Sequence, residues 1–324
     1  MKLNKKVCVV GAGNWGKNHI RTLNELGALG GIVDANTNLL DQFSKQYPKI
    51  NVYQKLTDAL SKNIFSGFTV ATPAETHYNV AKIIIEAKKH VLIEKPLTLN
   101  IEDAEALVKL AGEHNINLMV GHVLLFHPAI IKIKELITEG KIGKLQYIYS
   151  NRLNLGQIRT EENVFWSLAP HDISIFQFFI EDYPLKMTAH GSTFLQEGIH
   201  DSTLTILEYP DNIKGHIFVS WLHPFKEHRL VVIGSKGMIS FEDSSHDKPL
   251  IFYDKKFKFN GKIPEKIDGE VELINYNHHK PLTEELKYFV NHLNGTNPKK
   301  ANGDHALEVT KILVKISGQL DKNE

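Results

Sequence analysis

A glycine-rich loop near the amino terminus is the first pattern in the chain that is suited to binding a ligand. Residues 11–16 have the spacing G-x-G-x-x-G, after the apolar run Val7–Val10 and before a helical pattern. In that setting Gly11 allows a tight turn, Gly13 lets backbone N–H groups approach a pyrophosphate, and Gly16 lets the helix pack closely on the strand. The positive end of the helix then faces the phosphates. The loop therefore predicts a dinucleotide site.

Asp34 ends the next predicted strand, 18 residues after Gly16. A carboxylate at this point accepts a hydrogen bond from the ribose 2′-OH of the adenosine and repels a 2′-phosphate. The pattern therefore predicts NAD rather than NADP, with Asn14 and Trp15 of the loop also at the cofactor. The alternative is a glycine turn that binds no ligand, with Asp34 as a surface residue.

Two further motifs, Thr72-Pro73 and Glu94-Lys95-Pro96, follow apolar runs that have the pattern of buried strands. Ligands of open α/β sheets bind at the carboxyl ends of the strands. Lys95 would therefore lie near the nicotinamide if the phosphates bind to the first loop. A partly buried lysine has a lowered pKa and can accept a proton, which is the role of a general base. The alternative is a surface lysine at the end of a strand.

Together with His77 and with residues 169–172 (Ala-Pro-His-Asp), these motifs resemble those of the Gfo/Idh/MocA oxidoreductases. The resemblance runs nearly from end to end and includes the order of two domains. It implies oxidation of a sugar or polyol hydroxyl with a nicotinamide cofactor, and it places Lys95 and His171 at the reacting carbon. It also implies that the cofactor is lined by Thr72, Pro73, His77 and Glu94.

The chain departs from the family at one position near the histidine. Many members have an aspartate four residues before it, where this chain has Ser167. Serine accepts a hydrogen bond but has no charge, so the carboxylate that orients the histidine is missing. Asp172 is a poor substitute, because adjacent residues of a helix point about 100° apart. We therefore expect proton transfer to depend more on Lys95, with His171 as polariser or relay; the alternative for His171 is a packed core histidine.

Within the family, the segment 151–172 is similar to that of enzymes that oxidise C3 of UDP-N-acetylglucosamine or of its uronic acid. Arg152 and Arg159 suit a diphosphate or a carboxylate, because a guanidinium binds such groups through two hydrogen bonds. Ordinary strand-edge and loop arginines are the alternative for both. Asn154 and Trp166 are expected to line the same substrate pocket together with His171.

Three functions remain open from the sequence. The first is an NAD-dependent dehydrogenase of a sugar nucleotide, most simply of a UDP-N-acetylamino sugar. The second is a dehydrogenase of free inositol or hexose, which needs neither Arg152 nor Arg159. The third is a non-catalytic sensor that binds NAD and a sugar; Ser167 favours it, whereas Lys95 and His171 oppose it.

The spacing of apolar residues places these motifs on two kinds of domain. Over residues 1–121, apolar runs too short for helices alternate with amphipathic helices, a rhythm typical of a parallel sheet with helical crossovers. Over residues 122–324, strand-like stretches are separated by short turns, which predicts a mostly antiparallel sheet. We therefore predict an α/β Rossmann domain that binds NAD, followed by an α+β domain that binds substrate and forms the oligomer.

Helices near residues 170–181, 281–294 and 304–320 are expected to cover one face of the second sheet. Residues 254–268 are rich in lysine and are expected to be a surface excursion. The strand predicted at residues 217–222 has apolar side chains on both of its faces. A face of the sheet that no helix covers would therefore be covered by another subunit. We predict a homodimer or homotetramer.

The composition excludes several other classes of protein. The 324 residues suggest two domains, and 38 Lys and Arg against 37 Asp and Glu give a net charge of +1, so neither nucleic acid nor a membrane is indicated as a partner. Cys8 is the single cysteine, which excludes a disulfide within the chain and a cysteine-cluster metal site, and we predict no metal. The sequence has neither a long apolar segment nor a targeting signal, which predicts a cytoplasmic protein.

Overall fold

The chain forms two units, each with its own sheet. The computed structural model describes residues 6–156 and 158–321. The first unit contains the residues up to Phe126 together with His279–Lys311, and the second contains His127–His278 together with the residues from Ile312 onward. The segment His279–Lys311 lies in the part of the chain that the sequence assigns to the second domain, so this division differs from the predicted boundary.

The first unit is a doubly wound α/β fold. Its described strands are β1 (Val7–Val10), β2 (Leu29–Val33), β3 (Asn51–Tyr53), β4 (Gly67–Val70), β5 (His90–Ile93) and β6 (Leu118–Val120). The helices that connect them are α1 (Gly16–Glu25), α2 (Thr37–Gln46), α3 (Leu56–Ser61), α4 (His77–Glu86) and α5 (Ile101–Glu113). All neighbouring strands are parallel, in the order β3-β2-β1-β4-β5-β6. This order confirms the predicted Rossmann domain.

Runs of apolar residues form these strands because helices cover both faces of the sheet. Every residue of β1 and β4 is buried. Asparagine side chains fix where two of the helices begin: Asn36 caps α2, and Asn100 accepts a hydrogen bond from the backbone N–H of Asp103 at the start of α5. Cys8 lies in the core, and burial raises the pKa of its thiol.

The second unit contains the sheet that the sequence predicts as mostly antiparallel. Its described strands are β7 (Leu145–Leu155), β8 (Lys186–Ser192), β9 (Ser202–Glu208), β10 (Lys214–Ser220), β11 (Leu222–Gly234), β12 (Met238–Glu242), β13 (Leu250–Asn260) and β14 (Ile263–Leu273). The order is β14-β13-β12-β11-β7-β10-β9-β8, and β7 and β10 are the parallel neighbours in it. Two helices, α6 (Pro128–Thr138) and α7 (Val164–Ile180), belong to the same unit.

One face of this second sheet packs against α7, which contacts β7, β9 and β10. On β9, Leu207 is buried, whereas the alternate residues Leu204 and Ile206 are each 39% exposed. The strand register aligns Ile206 with His216 and Tyr149 on the neighbouring strands, and the rings of His216 and Tyr149 stack with centroids 5.0 Å apart. The sheet therefore presents a row of partly exposed apolar and aromatic side chains on its other face.

The structure corrects the predicted position of the helix near residues 281–294. This helix, α8 (Pro281–Asn291), packs against α1 and against the turn Val123–Phe126, all within the first unit. Leu293, just after α8, fills the space beside Gly67 on β4, where a larger residue would collide with it. The spacing of apolar residues reveals that the helix has a buried face, but it does not reveal which sheet that face covers.

Residues 254–268, expected to be a surface excursion, are mostly exposed and form most of a long hairpin. They are paired in register from Lys255 with Asp268 to Asn260 with Ile263. Most of their side chains are exposed on both alternations. Neither face of this hairpin is therefore covered over most of residues 254–268.

The last described helix, α9 (Gly303–Leu320), forms where the sequence predicts one. Its residues up to Lys311 belong to the first unit, and those from Ile312 onward to the second. Neither α9 nor any other helix in the described part of the chain combines the length and the apolar character needed to cross a membrane. The cytoplasmic location stays a prediction.

Candidate active site

The dinucleotide loop folds against the end of β4, and this close approach explains its glycines. Gly11 has a φ of +90°, in the left-handed region, and a Cβ on it would lie 2.7 Å from the carbonyl oxygen of Ala71. A Cβ on Gly16 would overlap the carbonyl oxygen of Gly11, whereas Gly13 faces open space. Two glycines therefore make the loop compact, and the third leaves room for a ligand.

The start of α1 is suited to an anion. No side chain caps this helix, and its first turn contains no acidic residue. Its backbone N–H groups and the positive end of its dipole can therefore bind a pyrophosphate. Asn14 and Trp15 lie exposed in the loop that leads into the helix. The residues present thus fit the phosphates of a dinucleotide.

Asp34 directly follows β2, as predicted, and its carboxylate supports the loop. Its Oδ2 accepts a hydrogen bond of 2.6 Å from the backbone N–H of Ala12, and its Oδ1 accepts one of 2.8 Å from Asn36. The carboxylate therefore lies beside the loop in a fixed orientation. From this position it can accept a hydrogen bond from a ribose hydroxyl and repel a phosphate on the same carbon.

The carboxylate of Glu94, directly after β5, connects the loop to the strand end that carries Lys95. Its Oε1 accepts hydrogen bonds from the indole N–H of Trp15 and, at 2.7 Å, from Nε2 of His19 on α1. Its Oε2 lies 3.3 Å from the backbone N–H of Lys95. Gly121 at the next strand end leaves room for this carboxylate, because a Cβ there would lie 2.8 Å from Oε2 and displace it. Glu94 thus fixes several elements at once.

His77 is a support for the site and not part of a surface that a cofactor could touch. It is 1% exposed. Its Nδ1 lies 2.7 Å from the carbonyl oxygen of Pro96, and its Nε2 lies 2.9 Å from that of Thr72. Burial lowers the pKa of His77. The structure therefore corrects the predicted role: His77 connects the turn at Thr72-Pro73 to the residue after Lys95.

Lys95 is half-buried at the carboxyl end of β5, where the sequence predicts it. The register of Ile93 with Val120 continues into Lys95 beside His122 at the end of β6. His122 is buried, and its ring lies edge-on to that of His305 with centroids 5.5 Å apart. Burial, followed by the proximity of His305 and of Lys95, lowers the pKa of His122 well below its ordinary value, and burial lowers the pKa of His305 to about 4. Both imidazoles are therefore neutral near pH 7.

The remaining predicted site residues belong to the second unit. His171 is half-buried on α7, one turn after Ser167 and on the same side of the helix. The side chain of Asn163 caps α7 by accepting a hydrogen bond of 3.1 Å from the backbone N–H of Trp166. Trp166 is half-buried in the first turn of the helix. The structure therefore places His171, Ser167 and Trp166 on one helix.

The structure assigns Arg152 a different contact from the predicted one. Its Nε and Nη2 donate to the two carboxylate oxygens of Asp172, both at 2.9 Å, in the interior of the second unit. Ser150 donates to the same carboxylate at 2.6 Å. The edge of the guanidinium that could form two parallel hydrogen bonds to a ligand is therefore occupied. The pairing stabilises Asp172, because a buried carboxylate without a partner is energetically costly. Asp172 pairs with Arg152 on β7, as expected for a residue that does not orient His171.

Arg159 and Asn154 lie in more open surroundings. Arg159 is half-exposed, with its Nε 4.0 Å from Glu162, so its guanidinium can still bind an anion. Asn154 is half-buried near the end of β7, and Gly156 lies close against its side-chain amide. Of the two predicted anion-binding arginines, Arg159 is therefore the one that remains accessible.

Sequence reasoning missed His19 and His228. His19 lies four residues after Trp15, on the same side of α1, and this spacing is the signal that could have revealed it. His228 on β11 lies opposite Arg152 on the neighbouring strand β7. Its pKa is lowered to about 4, first by burial and second by the charge of Arg152. No local pattern marks His228, because its neighbour is 76 positions away.

A metal centre finds no support in the described residues. Within 6–156 and 158–321, no cluster of three or more His, Cys, Asp or Glu side chains could hold a metal ion.

Comparison with protein families matches both units. Residues 5–122 match the model described as "Oxidoreductase family, NAD-binding Rossmann fold" of the Gfo/Idh/MocA group, and residues 130–240 match the Gfo/Idh/MocA C-terminal domain. Together these models cover well over half of the chain. The first match confirms the prediction of NAD as cofactor.

Curated relatives and solved structures agree with this grouping. UDP-N-acetylglucosamine 3-dehydrogenase of Acidithiobacillus ferrooxidans is 27% identical over 195 residues, and the match spans 58% of this chain and 58% of that relative. Myo-inositol 2-dehydrogenase of Thermotoga maritima is 22% identical, over 92% of this chain and 91% of the relative. A solved structure of the Acidithiobacillus enzyme superposes with a TM-score of 0.86 at 21% identity, over 98% of this chain and 97% of that one. At this identity the superposition shows the fold.

Asp34 generates a test of cofactor choice. Asp34→Asn keeps the size of the side chain but removes its charge. We expect the wild-type chain to bind NAD at least about ten times more tightly than NADP, because a phosphate beside a carboxylate costs more than about 1.4 kcal/mol. In Asp34→Asn the two affinities should differ by less than about threefold. Calorimetric titration with both cofactors measures this, with Asp58→Asn, an exposed acid on α3, as control. Equal affinities in the wild-type chain would contradict the role of Asp34.

Proposed function

We propose that this chain, which belongs to the Gfo/Idh/MocA oxidoreductases, oxidises a hydroxyl of a sugar nucleotide, most simply at C3 of a UDP-N-acetylamino sugar. The observation that carries the proposal is Lys95 at the carboxyl end of β5, joined through Glu94 to the dinucleotide loop. When bound, NAD supplies the nicotinamide carbon that accepts a hydride. The similarity to UDP-N-acetylglucosamine 3-dehydrogenase supports the choice of substrate.

Lys95 is the group that takes the proton of the sugar hydroxyl. A hydride can leave the carbon only as the hydroxyl loses its proton, so a base beside the reacting carbon lowers the barrier. Lys95 is half-buried, and its neighbour His122 is neutral near pH 7. The Glu94 carboxylate fixes the backbone that carries Lys95.

His171 acts as a polariser or relay for the same hydroxyl. Its helix position is fixed by the adjacent Asp172, which the buried pair with Arg152 holds in place. Arg152 thus supports the substrate side of the reaction indirectly. Arg159 is the residue that binds the diphosphate or a uronate carboxylate, and Asn154 and Trp166 line the pocket for the sugar.

A free polyol is the second candidate substrate, and two observations favour it. The myo-inositol 2-dehydrogenase of Thermotoga maritima matches 92% of this chain, a longer match than that of the nucleotide-sugar enzyme. Arg152 is occupied by Asp172, so one of the two arginines predicted for a diphosphate is engaged elsewhere. An inositol needs neither arginine, so turnover of UDP-sugars and of inositols by the same preparation decides between them.

Lys95→Ala tests the base directly. We expect turnover to fall by about 10²- to 10⁴-fold, because a positioned proton acceptor is lost. NAD affinity should change by less than about threefold, since the dinucleotide loop supplies most of the cofactor contacts. NADH absorbance with UDP-N-acetylglucosamine, its uronic acid and myo-inositol gives the first quantity, and calorimetry gives the second. Lys109→Ala, an exposed lysine on α5, is the control; near-normal turnover in Lys95→Ala would mean that another group is the base.

We also infer that a second copy of the chain covers the open face of the second sheet. The row of Ile206, His216 and Tyr149 continues across the register into Val231 on β11, and all four side chains are partly exposed. Monomeric proteins seldom leave a continuous apolar row in water, and cyclic pairs of identical subunits are the commonest way to cover one. The proposal is a homodimer, or a homotetramer built from it.

Ile206→Glu should dissociate this assembly, because it places a charge in the middle of the covered row. Light scattering on a sizing column at micromolar concentration should show a dimer or tetramer for the wild-type chain and a monomer for the variant. Ile64→Glu, which changes an isoleucine that is 46% exposed in the first unit, should leave the assembly intact. A monomeric wild-type chain would contradict the inference.

A further inference from the structure

Glu285 on α8 is a carboxyl group in an interior position without a hydrogen bond. It is 0% exposed, and neither of its oxygens has a partner among the described residues. An ionised carboxylate in such a place would be very costly, so the group is held as a neutral acid with one O–H donor. Burial raises the pKa of Glu285 well above its ordinary value, and the nearby Glu94 raises it further.

His19 on α1 has a buried acceptor nitrogen that lacks a hydrogen-bond donor among the described residues. Its Nε2 lies 2.7 Å from Oε1 of Glu94, and an ionised carboxylate can only accept, so Nε2 carries the proton. The other nitrogen, Nδ1, is then an acceptor, and it is buried without a partner among the described residues. One buried donor and one buried acceptor therefore remain unpaired on two helices, α8 and α1, that pack against each other.

We propose that Glu285 is a positioning residue, which as a neutral acid donates a hydrogen bond to one buried water that in turn donates to Nδ1 of His19. This bond fixes the tautomer of His19 that donates to Glu94. Glu94 in turn holds Trp15 of the dinucleotide loop and the backbone of Lys95. The inference rests on the proposed NAD-dependent function, and it names a residue outside the cofactor and substrate contacts that sets their geometry.

The charged groups around Glu285 determine what happens when it ionises. From α1, His19 is buried, whereas Lys17 and Arg21 are exposed; the turn Val123–Phe126 contains no titratable side chain. From the end of β5 comes Glu94, and on α8 itself Glu284 and Lys287 form a pair of their own. Loss of the proton from Glu285 would therefore remove the donor to the water that bonds to His19 and place a second carboxylate near Glu94.

The consequence is a pH dependence of cofactor binding with a defined sign. Below the raised pKa of Glu285 the acid is neutral and the chain His19–Glu94–Trp15 is intact. As the pH rises through that pKa, the hydrogen bond is lost and the two carboxylates repel each other. The affinity for NAD should therefore fall on the alkaline side.

Glu285→Gln tests the effect of ionisation at position 285 separately from the effect of side-chain size. The amide keeps the size and a donor, but it cannot ionise. We expect the NAD affinity of the wild-type chain to fall by about tenfold as the pH rises through the raised pKa of Glu285, whereas that of Glu285→Gln stays within about twofold over the same range. Glu285→Leu, which has no donor, should bind NAD about tenfold more weakly already at pH 6. Glu284→Gln removes a negative charge from the same helix and should follow the wild-type profile.

Calorimetric titration of the full chain with NAD measures all four profiles. A flat wild-type profile, an equal fall in Glu285→Gln, or wild-type affinity in Glu285→Leu would each overturn the proposal. If Glu285→Leu does not fold, the comparison of wild type with Glu285→Gln still decides it. The measurement needs no sugar, so a wrong substrate in the proposed function would leave its outcome unchanged, while failure of every variant to bind NAD would count against the proposed function itself.

Discussion

The hydrogen bonds to Glu94 are the interaction on which the rest of the site depends. A carboxylate accepts several bonds at once and donates none, so one side chain can hold a loop, a helix and a strand end in register. Here it accepts from Trp15 in the loop, from His19 on the helix and, more weakly, from the backbone of Lys95. The absence of a side chain at Gly121 gives the carboxylate its room. The dinucleotide loop and the strand end that carries Lys95, the proposed base, are thereby held by the same carboxylate.

Burial gives the surroundings of Lys95 their electrostatic character. His122 and His305 are neutral near pH 7 because the protein interior disfavours their charged forms. Burial also keeps Glu285 neutral, but it does so by raising the pKa of this acid. The buried histidines near Lys95 are therefore uncharged, and Glu94 is the nearby carboxylate. In the second unit Arg152 and Asp172 retain their charges as a buried pair.

Local patterns predict what local contacts determine. The loop 11–16 and the strand ends at Asp34 and Lys95 lie where the sequence places them, because turn geometry and strand alternation depend on neighbouring residues. The helix that carries His171 begins at Val164, earlier than the predicted start near residue 170. The partners of Glu94 and of Arg152 could not be predicted this way. Trp15 and Glu94 are 79 positions apart, and Arg152 and Asp172 are 20 apart across a loop. Likewise α8 shows a helical pattern, but only tertiary packing directs it to the first unit.

Isotope transfer is the most direct test of the proposed oxidation at C3 of a UDP-N-acetylamino sugar. The chain would be mixed with NAD and with UDP-N-acetylglucosamine that carries deuterium at C3, and the reduced cofactor analysed by mass spectrometry. The account predicts NADH that contains the deuterium, formed more slowly than from the unlabelled sugar. NADH without deuterium, or no NADH from this sugar or its uronic acid, would contradict it.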